Sequence, residues 1–430
     1  MGEGIPEGWT EKNLKHFCIG VRGVSYKPHD LHLTPSAETV TLLRSNNIQD
    51  SGVVLTDVQY VHYSRVKPVQ LAKDKDIAVC MSNGSRRLVG KSSSFRSIPS
   101  NGKYTVGAFC SIFRPTENVF ADFVEQLFKS NRYSQQVELS LAGSAINNLK
   151  NSDLESYQFL CPPKPEQQKI ASILTSVDEV IEKTEAQISK LQDLKKGMMQ
   201  ELLTKGIGHT EFKDSPVGRI PESWRVTQLG SLASFRNGLN FSSDNYGFGL
   251  KIVGVGDFKD YEYPNYATLS EINPEGVSTD EDYLHENDFV FVRSNGNRNL
   301  IGRCLFVKNI GTEKIAFSGF VIRCRLHGSE ELDPEYVNHV FRSGVIRRVI
   351  SDDGAGTNIS NLSQKVLSSL PIPIPPRDEQ KRIAETLDSI SLRCRVQREK
   401  HRELIDLKKA LMQDLLTGKV RVKVTRHVAA

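Results

Sequence analysis

The sequence predicts an α+β chain made by tandem duplication: a mixed α/β globule followed by one long helix, then a second globule and a second long helix. Three observations carry this expectation. The second half of the 430 residues repeats the first at an offset near 213. Each half ends in a long stretch whose apolar residues fall at helical spacing. Ahead of each stretch lie short β-like runs separated by Gly, Asn and Ser turns.

The repeat is read in order along the chain. Ile5-Pro6-Glu7-Gly8-Trp9 returns as Ile220-Pro221-Glu222-Ser223-Trp224, and Gly23-Val24-Ser25-Tyr26 as Gly238-Leu239-Asn240-Phe241. Ser82-Asn83-Gly84 returns as Ser294-Asn295-Gly296, and Ile146-Asn147-Asn148-Leu149 as Ile359-Ser360-Asn361-Leu362. Pro162-Pro163 with Glu166-Gln167 returns as Pro375-Pro376 with Glu379-Gln380, and Leu202-Leu203-Thr204 as Leu415-Leu416-Thr417. Two copies make a duplicated module, not a solenoid.

Within each globule, Asp76–Val79 and Phe289–Val292 read as strands, and Ala121–Ser130 and Glu335–Ser343 as helices. The expected segments are a first globule over 1–163, a helix over 164–206, a second globule over 207–376, a helix over 377–418 and a basic tail over 419–430. The paired prolines block helix just before each start. In the first helix the heptad columns are Ile170, Val177, Leu191 and Met198, then Ile173, Val180 and Leu194, then Leu174, Ile181, Ile188 and Leu202. The second repeats them with Ile383, Ile390, Leu404 and Leu411, then Leu387 and Leu415. A stripe this wide suits packing against more than one surface. Helices this long need a partner: each other, as an antiparallel coiled coil, or another subunit. An antiparallel pair would hold two globules on a rod of roughly 58 Å. That can serve two readers one duplex turn, about 34–36 Å, apart.

Composition is that of an ordinary globular protein, with 38% hydrophobic and 25% charged residues. No apolar run reaches the ~18 residues of a membrane span, and the N-terminus lacks a secretory pattern, so a cytoplasmic location is expected. Net charge is +5, distributed as +4 over 1–165, −3 over 218–378 and +4 over 418–430. This permits a nucleic-acid partner without demanding one. The seven cysteines are scattered with no CxxC, which argues against a disulfide framework or zinc ribbon. There is no phosphate loop, HExxH or GxSxG. Asp193-Leu194-Lys195 and Asp406-Leu407-Lys408 look like nuclease fragments, but on amphipathic helices they read as surface charge. No catalytic constellation and no metal site is expected.

The binding candidates lie in the globules. Ser82, Asn83, Arg86, Arg87 and Lys91 form one polar loop; Arg293, Ser294, Asn295, Asn297, Arg298 and Arg303 form its copy. Arg reads guanine and Asn reads adenine through paired hydrogen bonds, while Ser and Asn hold phosphates. The same residues also suit a plain hairpin turn whose Asn and Gly serve positive φ. A second candidate is Ser144 with Asn147, copied as Thr357 and Asn358. A third is Arg44 with Asn46, aligned with Gly254–Asp257.

Taken with Gly208-His209-Thr210-Glu211-Phe212-Lys213 and the ending Leu415-Leu416-Thr417-Gly418-Lys419-Val420, the duplicated motifs resemble the specificity (S) subunit of type I restriction–modification systems. The likeness covers nearly the whole chain. It implies that each globule is a target recognition domain reading half of an asymmetric bipartite site in double-stranded DNA. It implies antiparallel spacer helices that recruit two methyltransferase (M) subunits carrying S-adenosylmethionine. Restriction (R) subunits would add ATP- and Mg-dependent cleavage. The chain itself would be non-catalytic and hold no cofactor. The carried-over helix contacts are Ile170, Val177, Ile181, Leu191, Met198, Ile383, Ile390, Leu404 and Leu411. The acidic stretch Glu271–Asp288 is expected to face away from DNA. Other readings are an S-like subunit of a stand-alone methyltransferase, a coiled-coil protein scaffold, or a nuclease or methyltransferase in its own right.

Overall fold

The computed structural model describes residues 5–49, 52–96, 98–99, 102–142, 147–258, 262–275, 280–328, 331–352 (351 and 352 as backbone only) and 361–424. Ser144, Thr357 and Asn358 lie outside them. Two compact units form: residues 1–187 with 397–430, and residues 188–396. The division cuts both long helices, Lys164–Lys205 and Arg377–Thr417, near their middles.

Each unit is built on the same four-stranded antiparallel sheet. In unit 1 the order is Cys18–Arg22, Cys110–Pro115, Ile77–Cys80 and Ser92–Ser94; in unit 2 it is Ala233–Asn237, Val321–Leu326, Phe289–Val292 and Cys304–Phe306. All four residues of Ile77–Cys80 and of Phe289–Val292 are buried. That explains why these runs are continuously apolar instead of alternating. A second sheet, four-stranded in unit 1 and three-stranded in unit 2, contains one parallel pair in each, Tyr104–Val106 on Thr39–Leu43 and Ile315–Phe317 on Tyr246–Val253. The helices Ala121–Phe128 and Pro334–Arg342 appear where expected, each one or two residues displaced. The helices that follow them, Asn131–Ala142 and Gly344–Asp352, were not expected.

The long helices pack together, and each unit shows the direction. In unit 1, Ile170, Ala171 and Leu174 from the start of the first helix share a core with Met412, Leu415 and Leu416 from the end of the second. In unit 2, Leu203 from the end of the first meets Ile383, Ala384 and Leu387 from the start of the second. Start meets end in both, so the pairing is antiparallel. Polar pairs fix the register in unit 1: Lys408 donates to Asp178 at 2.5 Å, and His401 meets Glu185 at 2.8 Å. Seven residues forward on one helix is seven back on the other. Burial alone would raise the Asp178 pKa, but the charges of Lys129 and Lys408 outweigh it and hold the carboxyl below its usual range.

Of the carried-over helix positions, Ile170, Ile383 and Ile390 are buried, and Val177, Ile181, Leu191, Met198, Leu404 and Leu411 are partly buried. The three-column stripe is narrower than expected in mid-helix, where Val180 and Leu194 are exposed. Near the helix ends a globule adds a second packing surface, and Ile173 of the same column is used there.

The repeated motifs form one joint, built twice. Trp9 Nε1 donates to Glu166 at 3.2 Å and Trp224 Nε1 to Glu379 at 3.0 Å. The neighbouring glutamines hold the N-caps of the helices Ala121–Phe128 and Pro334–Arg342: Gln167 Oε1 accepts from Phe120 N and Gln380 Oε1 from Asp333 N. Their amides donate back to Pro162 O and Pro375 O. One contact differs. Glu166 is closed by the Arg421 guanidinium, at 2.6 Å; Glu379 is closed by Ile207 N and the His209 ring, both at 2.8 Å. The start of the basic tail is therefore a clasp on unit 1.

Candidate functional site

The polar loops leave the buried central strand of each sheet and run along one edge. In unit 1 that edge is assembled by bridges between segments far apart in sequence. Ser82 forms a β-bridge with Asn148, and Leu149 N donates to Met81 O at 2.8 Å. The Asn147 amide donates to Gly84 O at 3.2 Å, and the Asn83 amide to Ser45 Oγ at 3.1 Å. All three candidate segments meet here. Within the loop, Asn83 Oδ1 accepts from Ser85 N, a side-chain-closed turn. Unit 2 repeats the frame: Ser294 bridges Asn361, and Leu362 N donates to Arg293 O at 2.7 Å. Asn295 Oδ1 accepts from Asn297 N, and Asn297 Oδ1 from Asn299 N, which starts the turn carrying Arg298. A cleft of about 720 Å³ brings Ser294–Gly296 together with Gly254–Asp257, Asn240, Tyr246 and Phe320.

The candidate side chains divide by what they touch. Arg86, Arg87, Asn297 and Arg298 are exposed, and Asn83, Asn147 and Asn295 are half-buried. Arg44 and Asn46 both donate to Asp57, so they brace their own loop. Lys91 donates to Gln49 Oε1. Arg293 donates to Gly319 O, and Arg303 to Asn299 O and Phe258 O. Arg86, Arg87 and Lys91 also line a broad groove beside the helix Asn131–Ala142, shared with Asp178, Glu182 and Lys408 of the helix pair.

Electrostatics distinguish the second edge from the net −3 of residues 218–378. Burial, with the charges of Arg303 and Arg342 beside it, lowers the Arg347 pKa. Much of the acidic stretch is neutralised internally: Arg236 pairs with Glu281 and Asp282, and Arg325 with Asp288. Unit 1 has the matching pair Arg114–Asp76. The lysines of the two nuclease-like fragments pair elsewhere, Lys195 with Glu262 and Lys408 with Asp178.

Sequence reasoning missed the aromatic rings at these edges, among them Phe109, Phe320 and Tyr246. Aligning the turn Gly107–Cys110 with Ser318–Val321 would have found the first two.

Comparison with known proteins decides the family. The model of the type I restriction modification DNA specificity domain matches residues 86–193 and 221–404. The chain belongs to this family. As a specificity subunit it is similar along its length to curated relatives. It is 26% identical to the Type I restriction enzyme EcoKI specificity subunit of Escherichia coli K12, over 90% of this chain and 82% of that protein. It is 29% identical to the putative type I restriction enzyme MjaX specificity subunit of Methanocaldococcus jannaschii, over 98% and 96%. The fold of the specificity subunit also matches solved structures. An S subunit from M. genitalium covers 97% of both chains at a TM-score of 0.58 and 13% identity. A chain from work on complex assembly and conformational transition of the type I R-M system covers 97% of this chain and 100% of its own, at 0.56 and 17%.

Proposed function

We propose that this specificity subunit reads an asymmetric, two-part site in double-stranded DNA, one half per unit. The observation that supports this best is the edge built twice. The same frame of bridges and side-chain-closed turns presents matched readers, Asn83 with Arg86 in unit 1 and Asn295 with Arg298 in unit 2, beside positions that differ, Ser85 and Arg87 against Asn297 and Asn299, and unit 1 adds the Asn147 amide. Asn and Arg are the residue types that read adenine and guanine edges in the major groove. Ser82, Ser294 and Lys91, with Ser144, Thr357 and Asn358 from the second candidate, are assigned to the same edges as sugar–phosphate contacts. Arg44, Asn46, Arg293 and Arg303 are assigned to shape the loops that carry the readers.

The same reading gives the long helices two roles. They set the distance between half-sites, and they recruit two M subunits, which bring S-adenosylmethionine, with R subunits joining to supply ATP-driven cleavage. This chain contributes recognition and assembly, and the chemistry belongs to its partners. Among the described residues no helix is long and apolar enough to cross a membrane, and a cytoplasmic complex is the setting we assign.

Co-purification with the M subunit, followed by duplex binding across a salt series, tests the reading. A stoichiometric complex whose affinity falls steeply with salt is expected, because phosphate contacts release counterions. A stable complex with no duplex affinity would leave a protein scaffold and remove DNA reading.

A further inference from the structure

Two exposed phenylalanines occupy the same place in the two units. Phe109 is 68% and Phe320 62% solvent-exposed. Each sits on a tight turn between two strands of its unit, closed by Cys110 N to Gly107 O in one and Val321 N to Ser318 O in the other, both 2.8 Å. The polar loop grips each turn: Phe109 O accepts from Met81 N (2.8 Å) and Ser82 N (3.1 Å), and Phe320 O from Arg293 N (2.8 Å) and Ser294 N (3.4 Å). The other side is held by Val24 N on Val106 O and Leu239 N on Phe317 O, both 2.8 Å. A glycine makes that approach possible. A Cβ on Gly23 would lie 2.1 Å from Gly107 O, and one on Gly238 2.2 Å from Ser318 O. The repeated glycines of the sequence therefore serve to lock these turns.

The backbone that carries each ring is thus fixed, and the ring stands in solvent, where it contributes little to folding because most of its surface stays wet. Its neighbours along the turn differ, Ala108 and Cys110 against Gly319 and Val321, yet Phe recurs. The ring is joined to the same loop as Asn83 in one unit and Asn295 in the other. A flat apolar group carried on a turn joined to the loop of amide and guanidinium donors is complementary to a base-pair edge that has an apolar feature. In the major groove that feature is the thymine methyl.

We infer that Phe109 and Phe320 are specificity-determining residues, each pressing on a thymine methyl in the half-site its unit reads. The inference rests on the DNA reading proposed above. The test uses the full chain in complex with its M subunits. DNA from cells expressing wild type, Phe109→Ala or Phe320→Ala is sequenced for modified bases, which gives each motif. Duplexes carrying the wild-type motif are then made with uracil in place of single thymines, removing only the methyl.

Each variant is expected to relax one T·A position in one half-site and leave the other half intact. Uracil at that position should weaken wild-type binding about four-fold, the worth of one methyl group, and leave the alanine variant unmoved. Phe320→Leu should keep part of the preference. Because the rings are exposed, all variants should melt with wild type. Unchanged motifs and an unchanged uracil response in both alanine variants overturn the inference while leaving DNA reading in place. Relaxation at a position other than T·A, or a wild-type response to uracil that survives in the alanine variants, also overturns it, the first in favour of a wedge between base steps. A wild type with neither motif nor duplex affinity removes the DNA reading, and this inference with it.

Discussion

The two units share a frame and differ at an edge. The frame is matched pair by pair: Trp9 on Glu166 and Trp224 on Glu379, Gln167 and Gln380 on the helix starts, Asp76 with Arg114 and Asp288 with Arg325. The tryptophans, glutamates, glutamines and aspartates among these are buried and the two arginines half-buried, and an unpaired donor or carboxylate there is costly. The edge is wet, and there the copies diverge: Ser85-Arg86-Arg87 against Asn297-Arg298-Asn299, and Arg44-Ser45-Asn46 against Gly254–Asp257. The difference separates residues that hold the helices from residues that vary at the surface.

The largest expected effect breaks the frame. Trp224 is fully buried, so Trp224→Ala should cost about 3–5 kcal/mol. Hydrogen exchange should then rise across unit 2 while Trp9 fluorescence keeps its native value. Equal exchange in both units would mean that the frame is not local. Next come two equivalent core leucines, Leu174 and Leu387, both fully buried. Either alanine substitution should cost about 2–5 kcal/mol. The chain has two tryptophans, one per unit. Leu174→Ala should therefore move the Trp9 transition in urea, and Leu387→Ala the Trp224 transition. A crossed result would refute the assignment of helix ends to units.

A smaller effect separates the units by pH. Asp178, in unit 1, titrates below its usual range because Lys129 and Lys408 face it. Its contribution is present above the unfolded value of about 3.9 and is lost as pH falls through the lower folded value. The Trp9 transition should lose stability in that window, and Asp178→Asn should flatten the slope. An unaltered slope in that variant would place the acid sensitivity elsewhere. The smallest effect on stability falls at the edge. Arg298→Ala should stay within about 0.5 kcal/mol of wild type, Asn295→Ala should cost about 1 kcal/mol for the lost turn bond, and each should lose about 1–3 kcal/mol of discrimination at single bases. Thermal melts and a base-substitution series measure the two sides.

Much of the fold was legible in the sequence because duplication shows as repeated motifs and long helices as heptads. The joint was visible only as letters. Nothing in IPxxW or in Glu-Gln says that the tryptophan of one reaches the glutamate of the other across more than 150 residues. The closing partners were hidden for the same reason: Arg421 reads as part of a basic tail and His209 as one letter of the Gly208–Lys213 segment, and neither position points to a distant glutamate. At the edge, the polar loops stood out by residue type. Their meeting with Asn147 and Ser45 depends on bridges between distant segments. Phe109 and Phe320 went unseen because an apolar residue between two strands reads as core until its exposure is known.

The central claim is that each unit reads its own half-site. The most direct test is modification-sensitive sequencing of DNA from cells co-expressing the M subunit with wild type or with the Asn295→Ala/Arg298→Ala double variant. The account predicts an asymmetric, adenine-methylated motif in two parts with a fixed gap. In the double variant one part should relax, and the other part and the gap should remain. A motif with a single part, or one in which both parts change together, would contradict it.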